Sequence, residues 1–268
     1  MNSMTPRMSD MPGLWRRSLI DRADGSRDVT TQVHWLQGQS LFADLRQPRL
    51  RSELAHVETL RDLSPQDCLQ LALQEGFAGR LLFDGDCFEW RRCIDYQPPA
   101  AVADAGWLYW ESDILVEKGR DVPYIEHWHR DAAVVDRPPC AIVLRGIEQP
   151  DALLLLVGTV FMFARARTAP AAPGQTLAQC VAGAASAREA RALVDCEISL
   201  GQVGRRGCRI RASTLPYRVG RDLGVAVAGS CITTMDTGPR GEALCRRWEV
   251  IESEGDPGAD WTAVSGDA

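Results

Sequence analysis

The feature of this 268-residue chain that most restricts its fold is an order of glycines, tryptophans and apolar runs that occurs twice. Gly38 and Gly158 lie 120 positions apart, and so do Trp128 and Trp248. Around the two glycines, HWLQGQSLFADLR and LLLVGTVFMFARAR each contain an apolar run, a glycine, a second apolar or aromatic run and an arginine. This co-linear correspondence predicts that one structural unit occurs twice in tandem.

Strand patterns dominate both copies of this unit. Short segments that alternate polar and apolar residues are separated by turn residues, as in antiparallel sheets. Asp24-Gly25, between the first two segments, is a strong hairpin signal. Closure of a sheet removes the exposed edges that so many strands would otherwise present. We therefore expect an all-β protein made of two tandem antiparallel up-and-down β-barrels, each with one short helix.

The helix of each copy is expected after its third strand. In the first copy, Ser64 can cap the N-terminus, Pro65 suits the first helical position, and Asp67 completes a capping box. This helix is predicted to run to Gly76, which would serve as its C-terminal stop. In the second copy, one helix is predicted in LAQCVAGAASAREARAL, after Thr176.

The repeat also predicts the domain boundaries. Residues 13–135 and 136–252 are expected to form the two barrels, joined by an extended linker at Asp136-Arg137-Pro138-Pro139. Residues 1–12 are expected to be a disordered N-terminus. Residues 253–268, which are acidic and rich in small residues, are expected to be a disordered tail.

Composition restricts the partners and the compartment. The net charge of −6 and the lack of a basic stripe argue against nucleic acid. The longest apolar run is too short to span a membrane, and the first residues do not resemble a secretory signal. Nine cysteines without a C-x-x-C motif favour a reducing cytoplasm over a disulfide framework or a zinc site. No cofactor or metal is expected.

Gly13-Leu14-Trp15 resembles the G-x-W motif that opens the first strand of lipocalins and other calycins. In that family the tryptophan closes the barrel base beneath an arginine from the last strand, a part that Arg130 could play here. The segments GLWRRSLI, TTQVHWLQG, IDYQPP and YIEHWHRD resemble the fungal Hri proteins and their bacterial relatives, which have two fused barrels. The resemblance implies that the two tandem antiparallel β-barrels are lipocalin-like and that there is a ligand cavity, but it implies no established reaction. The second copy departs from it, because CAIVLRG lacks the G-x-W motif.

Aromatic residues are unevenly divided between the copies. Six tryptophans, three tyrosines and four phenylalanines lie between Gly13 and Asp131, against one, one and two between Cys140 and Glu252. Ligand cavities are commonly lined by such side chains. We therefore expect non-catalytic binding of a small apolar or aromatic ligand in the first barrel, with a filled second barrel lined mainly by Val, Leu and Ala. The residues expected to contact the ligand are Trp35, Phe42, Trp90, Arg92, Tyr109, Tyr124, Glu126, Trp128 and Arg130.

Period-two alternation assigns these residues to strand faces. Alternation in FEWRRCIDY predicts that Phe88, Trp90, Arg92, Ile94 and Tyr96 share one face. In YIEHWHRD it places the even-numbered residues from 124 to 130 on one face. The charged members of these faces would either meet a polar ligand group or pair with one another in an internal salt-bridge cluster.

Two other classes of function stay open at this point. A protein-interaction module would have two filled barrels and dock a partner on its outer faces. A haem- or metal-dependent enzyme would use His127 or His129, which form the chain's only His-x-His motif, with a third ligand brought in by the fold. No nucleophile elbow, P-loop or dinucleotide motif is present.

Overall fold

The structure is a computed structural model that describes residues 4–49, 54, 56–132, 138–238, 240–256, 258 and 261. Within these residues the first sheet comprises β1 (Gly13–Arg22), β2 (Arg27–Asp28), β3 (Gln32–Gln37), β4 (Leu41–Gln47), β5 (Glu75–Phe83), β6 (Phe88–Asp95), β7 (Ala105–Glu111), β8 (Ile114–Gly119) and β9 (Tyr124–Arg130). The second sheet comprises β10 (Cys140–Gly146), β11 (Ala152–Val157), β12 (Val160–Arg165), β13 (Glu197–Gly204), β14 (Gly207–Ser213), β15 (Ala226–Ala228), β16 (Cys231–Thr237) and β17 (Ala243–Glu254).

The first sheet is a closed barrel. Its strands follow the order β2-β1-β3-β4-β5-β6-β7-β8-β9, and β1 also pairs with β9, so that eight strands form the closed wall. The two-residue β2 extends the far end of β1. All of these pairings are antiparallel, as the alternation predicts.

The second sheet has the order β14-β13-β12-β11-β10-β17-β16-β15, and its two end strands do not pair with each other in the described part of the chain. An irregular segment, residues 220–223, lies between them. It hydrogen-bonds to β14 through Ile210 and Cys208 on one side and to Met235 of β16 on the other. The second half therefore has an open barrel-like sheet, bridged by a segment that is not a regular strand.

The two halves have β-bulges in equivalent strand pairings. A β-bulge interrupts the pairing of β1 with β9, and another interrupts the equivalent pairing of β10 with β17. A second pair of bulges lies in β6 at Cys93 and in β14 at Arg211, next to the residues that pair with Gly79 of β5 and Gly201 of β13. A Cβ on Gly79 would lie 2.0 Å from the carbonyl oxygen of Arg91, so the bulge needs glycine there.

The helices correct part of the prediction. Ser64 caps α1 (Pro65–Leu71) with the expected capping box, but the helix ends well before Gly76. Gly76 belongs to β5, where a Cβ would lie 2.9 Å from Ile198 of the second half.

The second half has two helices where one was predicted. These are α2 (Leu177–Ala182), capped by Thr176, and α3 (Ala187–Val194). The predicted continuous helix is interrupted because Gly183 ends α2 and the Ser186 side chain caps the start of a new one.

The two halves share one large hydrophobic core, which the three helices help to cover. It joins the outer face of β4, which presents Leu41, Ala43 and Leu45, to β11 and β12 of the second half. Alternation on β4 therefore turns Phe42 and Asp44 into the first barrel and their neighbours toward the other half. None of the described helices is long and apolar enough to cross a membrane.

Both terminal segments differ from the expectation of disorder. Met11 is fully buried, and its carbonyl accepts a hydrogen bond from the Trp15 indole at 2.8 Å. At the other end, β17 continues to Glu254, whose carboxylate accepts the Ser40 N–H at 3.0 Å. Trp261 is buried in the core of the second sheet. Residues 1–3 and 262–268, and residues 133–137 at the predicted linker, lie outside the described residues.

Candidate functional site

A cluster of tryptophans occupies the interior of the first barrel. Trp35 lies at its centre, with ring centroids 5.7 Å from Trp15, 5.7 Å from Trp90 and 5.5 Å from Trp128. Phe42 belongs to the same core. The structure thus brings together, in one packed core, four residues that the sequence predicted to face a ligand: Trp35, Phe42, Trp90 and Trp128.

A polar cluster lies beside these rings. The Tyr124 hydroxyl donates to one Glu117 carboxylate oxygen at 2.6 Å, and the Trp128 indole donates to the other at 3.0 Å. Glu126, directly opposite Glu117 in the strand register, pairs with Arg17 at 2.5 Å. Tyr124, Glu126 and Trp128 therefore share one face of β9, as predicted. Glu126 pairs with Arg17, and not with Arg92 or Arg130, the two other charged residues of the predicted internal cluster.

Glu117 was not recognised from the sequence. It lies in ILVEKG, and alternation alone could have placed it on the same inner face of β8 as Leu115. Burial raises the pKa of its carboxyl well above the ordinary value, and the negative charge of Glu126 raises it further. Burial likewise raises the pKa of Asp44 to about 6, although Arg46 lies 2.9 Å away.

These buried acids make the stability of the protein depend on pH. In the folded protein they hold protons more tightly than in the unfolded chain, so unfolding releases protons above about pH 4. We expect the contribution of these carboxyls to the free energy of unfolding, measured by urea titration, to fall as the pH rises from 5 to 7.5, by about 1.4 kcal/mol per unit of raised pKa. Burial lowers the pKa of His34 to about 4, so this imidazole contributes in the opposite direction below about pH 6.5, and the carboxyl contribution is read as a difference between variants.

Glu117→Gln should reduce this fall, because its amide cannot ionise and can still accept one of the two hydrogen bonds. Glu111→Gln, at an exposed position, serves as the control and should leave the pH dependence unchanged. An unchanged pH dependence in Glu117→Gln would show that the carboxyl ionises as easily in the folded as in the unfolded protein.

Arg130 closes the base of the barrel. Its guanidinium carbon lies 4.6 Å from the centroid of the Trp15 ring, the packing that the G-x-W resemblance implied. Gly13 has a φ of +149°, and a Cβ there would be 3.5 Å from the Arg130 side chain. Tyr109 is not part of this interior, because it lies on the opposite face of β7 from Leu108, a member of the aromatic core.

Arg92 lies where the first barrel opens. Its guanidinium carbon is 3.5 Å from the centroid of the Phe77 ring, and its terminal nitrogens contact Asp95 at 2.9 Å and Asp104 at 2.6 Å. The predicted strand face is interrupted after Arg92, where a bulge in β6 lies opposite Ala78 and Gly79 of β5. The extra residue, Cys93, reverses the alternation, so Ile94 and Tyr96 point into the core shared with the second half rather than into the barrel.

A groove of about 500 Å³ extends from this opening, larger than the three other concave sites described, of about 380, 330 and 90 Å³. It is formed by β6, the connection from β6 to β7, and residues 166–171 of the second half. Its surface is mainly apolar, and Val102, half-exposed, is one of its walls. The apolar and proline residues around it are Trp90, Ile94, Pro98, Pro99, Val102 and Ala171.

The groove exists because β6 and β7 separate. They pair only at Phe88 with Gly106 and at Glu89 with Ala105, after which the Trp90 N–H bonds to the Asp104 carbonyl at 2.8 Å. Among the described residues, the Nε atoms of Arg92 and Arg167, two donors beside the opening, are buried without a hydrogen-bond partner. Leaving such a donor unpaired costs about 1–3 kcal/mol, which contact with an acceptor would offset.

The second half has an internal charge network that the predicted Val, Leu and Ala lining did not include. Arg218 contacts Glu197 at 2.9 Å and Asp236 at 3.3 Å, and all three side chains are almost fully buried. Trp248 repeats the position of Trp128, but its indole donates to Thr234 at 3.0 Å instead of to a carboxylate. The apolar core of the second sheet contains Leu154, Phe163 and Ile232 as well as Trp248.

The His-x-His motif is at the outer surface of β9. His129 Nε2 lies 2.9 Å from the hydroxyl of Ser18. In the part of the chain that the structure describes, no three His, Cys, Asp or Glu side chains are grouped to hold a metal ion.

Comparison with known proteins supports the fold. No known family and no curated protein matches the sequence. Among solved structures, the chain is similar to the uncharacterized protein YLR301w from Saccharomyces cerevisiae, with a TM-score of 0.52 and 14% sequence identity. The match covers 91% of this chain and 100% of the yeast chain, so it includes both halves of the molecule. At this identity the likeness concerns the fold alone.

Proposed function

We propose that this chain is a calycin-like two-barrel protein, related in architecture to the Hri proteins, that binds a small and largely apolar ligand without catalysis. The groove at the opening of the first barrel carries this proposal. Its volume of about 500 Å³ lies within the usual range for small-molecule sites, and its lining combines apolar walls with a few charged groups.

The position of the groove changes which of the expected residues would contact the ligand. Trp90 and Arg92 line it. Trp35, Phe42 and Trp128 form the packed barrel core that supports Trp90 from behind. Arg92 is itself held by Asp95 and Asp104, so it would orient a polar end of the ligand without having to move far.

The compartment proposed for this function is the cytoplasm. All nine cysteines are unpaired, and five of them belong to the two largest hydrophobic cores, where thiols act as small apolar side chains. Burial raises the pKa of Cys196 to about 11, which suppresses its reactivity. This use of cysteine suits a reducing environment.

The apolar fluorophore N-phenyl-1-naphthylamine tests the proposal. We expect saturable binding to one site, with energy transfer from tryptophan because Trp90 borders the groove. Ala100→Trp should weaken binding about tenfold or more by filling the groove. Ala101→Trp, at the neighbouring exposed position outside the lining, is the matched control and should bind like the unmodified protein.

Equal binding by both variants would place the fluorophore elsewhere, and absence of saturable binding would remove the main support for a ligand site. Circular dichroism of both variants verifies that the barrel is intact.

A further inference from the structure

The two halves differ in what lies along one equivalent strand edge, that of β6 in the first half and β14 in the second. In the first half Gly79 pairs with Arg92 of β6, and in the second half Gly201 pairs with Ile210 of β14, each next to a bulge. The following residue pairs match as well, so Trp90 of β6 corresponds to Cys208 of β14. The outer edges of β6 and β14 are therefore structurally equivalent.

In the second half this edge is occupied by the chain itself. The Ile210 N–H donates to the Arg221 carbonyl at 3.0 Å, and the Ile210 carbonyl accepts the Gly220 N–H at 2.9 Å. The Leu223 N–H donates to the Cys208 carbonyl at 2.8 Å. Residues 220–223 thus lie along the edge of β14 and pair with its backbone, with an isolated antiparallel bridge between Asp222 and Arg209.

In the first half the same edge borders the groove. The Trp90 N–H points toward β7, where it meets the Asp104 carbonyl. Because backbone groups two residues apart point the same way in a strand, the N–H and carbonyl of Arg92 face the opening. β7 does not pair with β6 there, since its register ends at Glu89. The connection through Pro98 and Pro99 forms the far wall of the groove instead.

The walls of the groove continue the interface between the two halves. Ile94 belongs to their shared core, and Ala166 and Ala171 pack against that core while also lining the groove. An occupant would therefore pack against the apolar edge of the contact between β6 and the second half. The charged residues of the lining are three arginines and three acidic residues, so they favour neither a strongly anionic nor a strongly cationic occupant.

We infer that the groove receives a short extended peptide, which adds to the edge of β6 as residues 220–223 add to the edge of β14. This inference rests on the proposed function and specifies its ligand as a peptide that is recognised through its main-chain amides. The peptide would exchange hydrogen bonds with the backbone of Arg92, and its side chains would contact Ile94, Val102 and Ala171. Main-chain pairing of this kind gives affinity, while the pockets for alternate side chains give selectivity.

The test uses the full chain and the fluorescein-labelled hexapeptide Val-Gly-Arg-Asp-Leu-Gly, which has the sequence of residues 219–224. We expect saturable binding by fluorescence anisotropy and displacement of N-phenyl-1-naphthylamine. Methylation of the amide nitrogen that corresponds to Gly220 should weaken binding about tenfold, because it removes the donor to the strand edge. Ala100→Trp should weaken binding of the peptide, and Ala101→Trp should not.

The outcomes separate the two proposals. If the fluorophore binds in the groove but the hexapeptide does not displace it, the inference is overturned and the proposed function stands. Equal affinity of the methylated and unmethylated peptides overturns the inference too, since binding would then not use the strand edge. If neither probe binds, both proposals fall.

Discussion

Trp35→Ala should lower the free energy of unfolding by about 3–5 kcal/mol, the usual loss when a large buried aromatic side chain is truncated. Trp35 is 1% exposed and lies between three other tryptophans. Its indole also donates to the buried Gln37 side chain at 3.1 Å, so the truncation leaves a polar group without its partner. Urea unfolding followed by far-ultraviolet circular dichroism measures the change.

Trp107→Ala is the matched control in the same barrel. Trp107 lies on the outer face of β7, and its indole contacts Asp86 at 3.0 Å in an exposed position. Its truncation should cost about 1 kcal/mol or less. Equal losses in the two variants would contradict the packed interior described above, and would indicate that the barrel centre can collapse around the space left by the larger side chain.

Arg218→Met should be destabilising by about 3–5 kcal/mol, because it removes the cation from two buried carboxylates. The Arg218 side chain is 2% exposed, and those of Glu197 and Asp236 are 0% and 4% exposed. Asp236 retains Arg246 at 2.5 Å, whereas Glu197 loses its contact at 2.9 Å to a charged partner. Thermal and urea unfolding at pH 7.5 give the size of the effect.

Two further variants define the cause of that loss. Arg188→Met, at an exposed position of α3, should change stability by about 0.5 kcal/mol or less. Adding Glu197→Gln to Arg218→Met should recover part of the lost stability, because the unpaired buried charge is then removed. If the double variant is no more stable than Arg218→Met, lost packing rather than lost charge pairing explains the effect.

Local sequence signals predicted several elements of the fold correctly. A helix begins at the predicted cap Ser64, and another begins after Thr176, as expected, with the Thr176 side chain as its cap. Such caps form because a side-chain hydrogen bond within a few residues satisfies the first free N–H groups. Alternation also separated the two faces of β4 and β9. The same signal failed on β6, where one extra residue at Cys93 reverses the face of everything after it.

Only part of the candidate site could be predicted from the sequence. Trp90 and Arg92 were recognised from their residue types, and both line the groove. The remainder of the groove comes from the separation of β6 and β7 and from residues 166–171, about 75 positions farther along the chain. The pairing of β6 with β7 stops after two residue pairs. No local sequence pattern predicts this, because the end of the pairing depends on how the connection between the two strands packs.

By itself, the sequence determined the all-β class, the tandem repeat of strand order and the caps of two helices, because these depend on periodicity and on contacts between near neighbours. The tertiary structure decided which half closes its sheet, where the charged side chains pair, and where an opening remains. In the second half residues 220–223 occupy the outer edge of β14; in the first half the equivalent edge of β6 borders the groove. That difference arises from long-range backbone pairing, which two structurally equivalent strands can make or leave unmade.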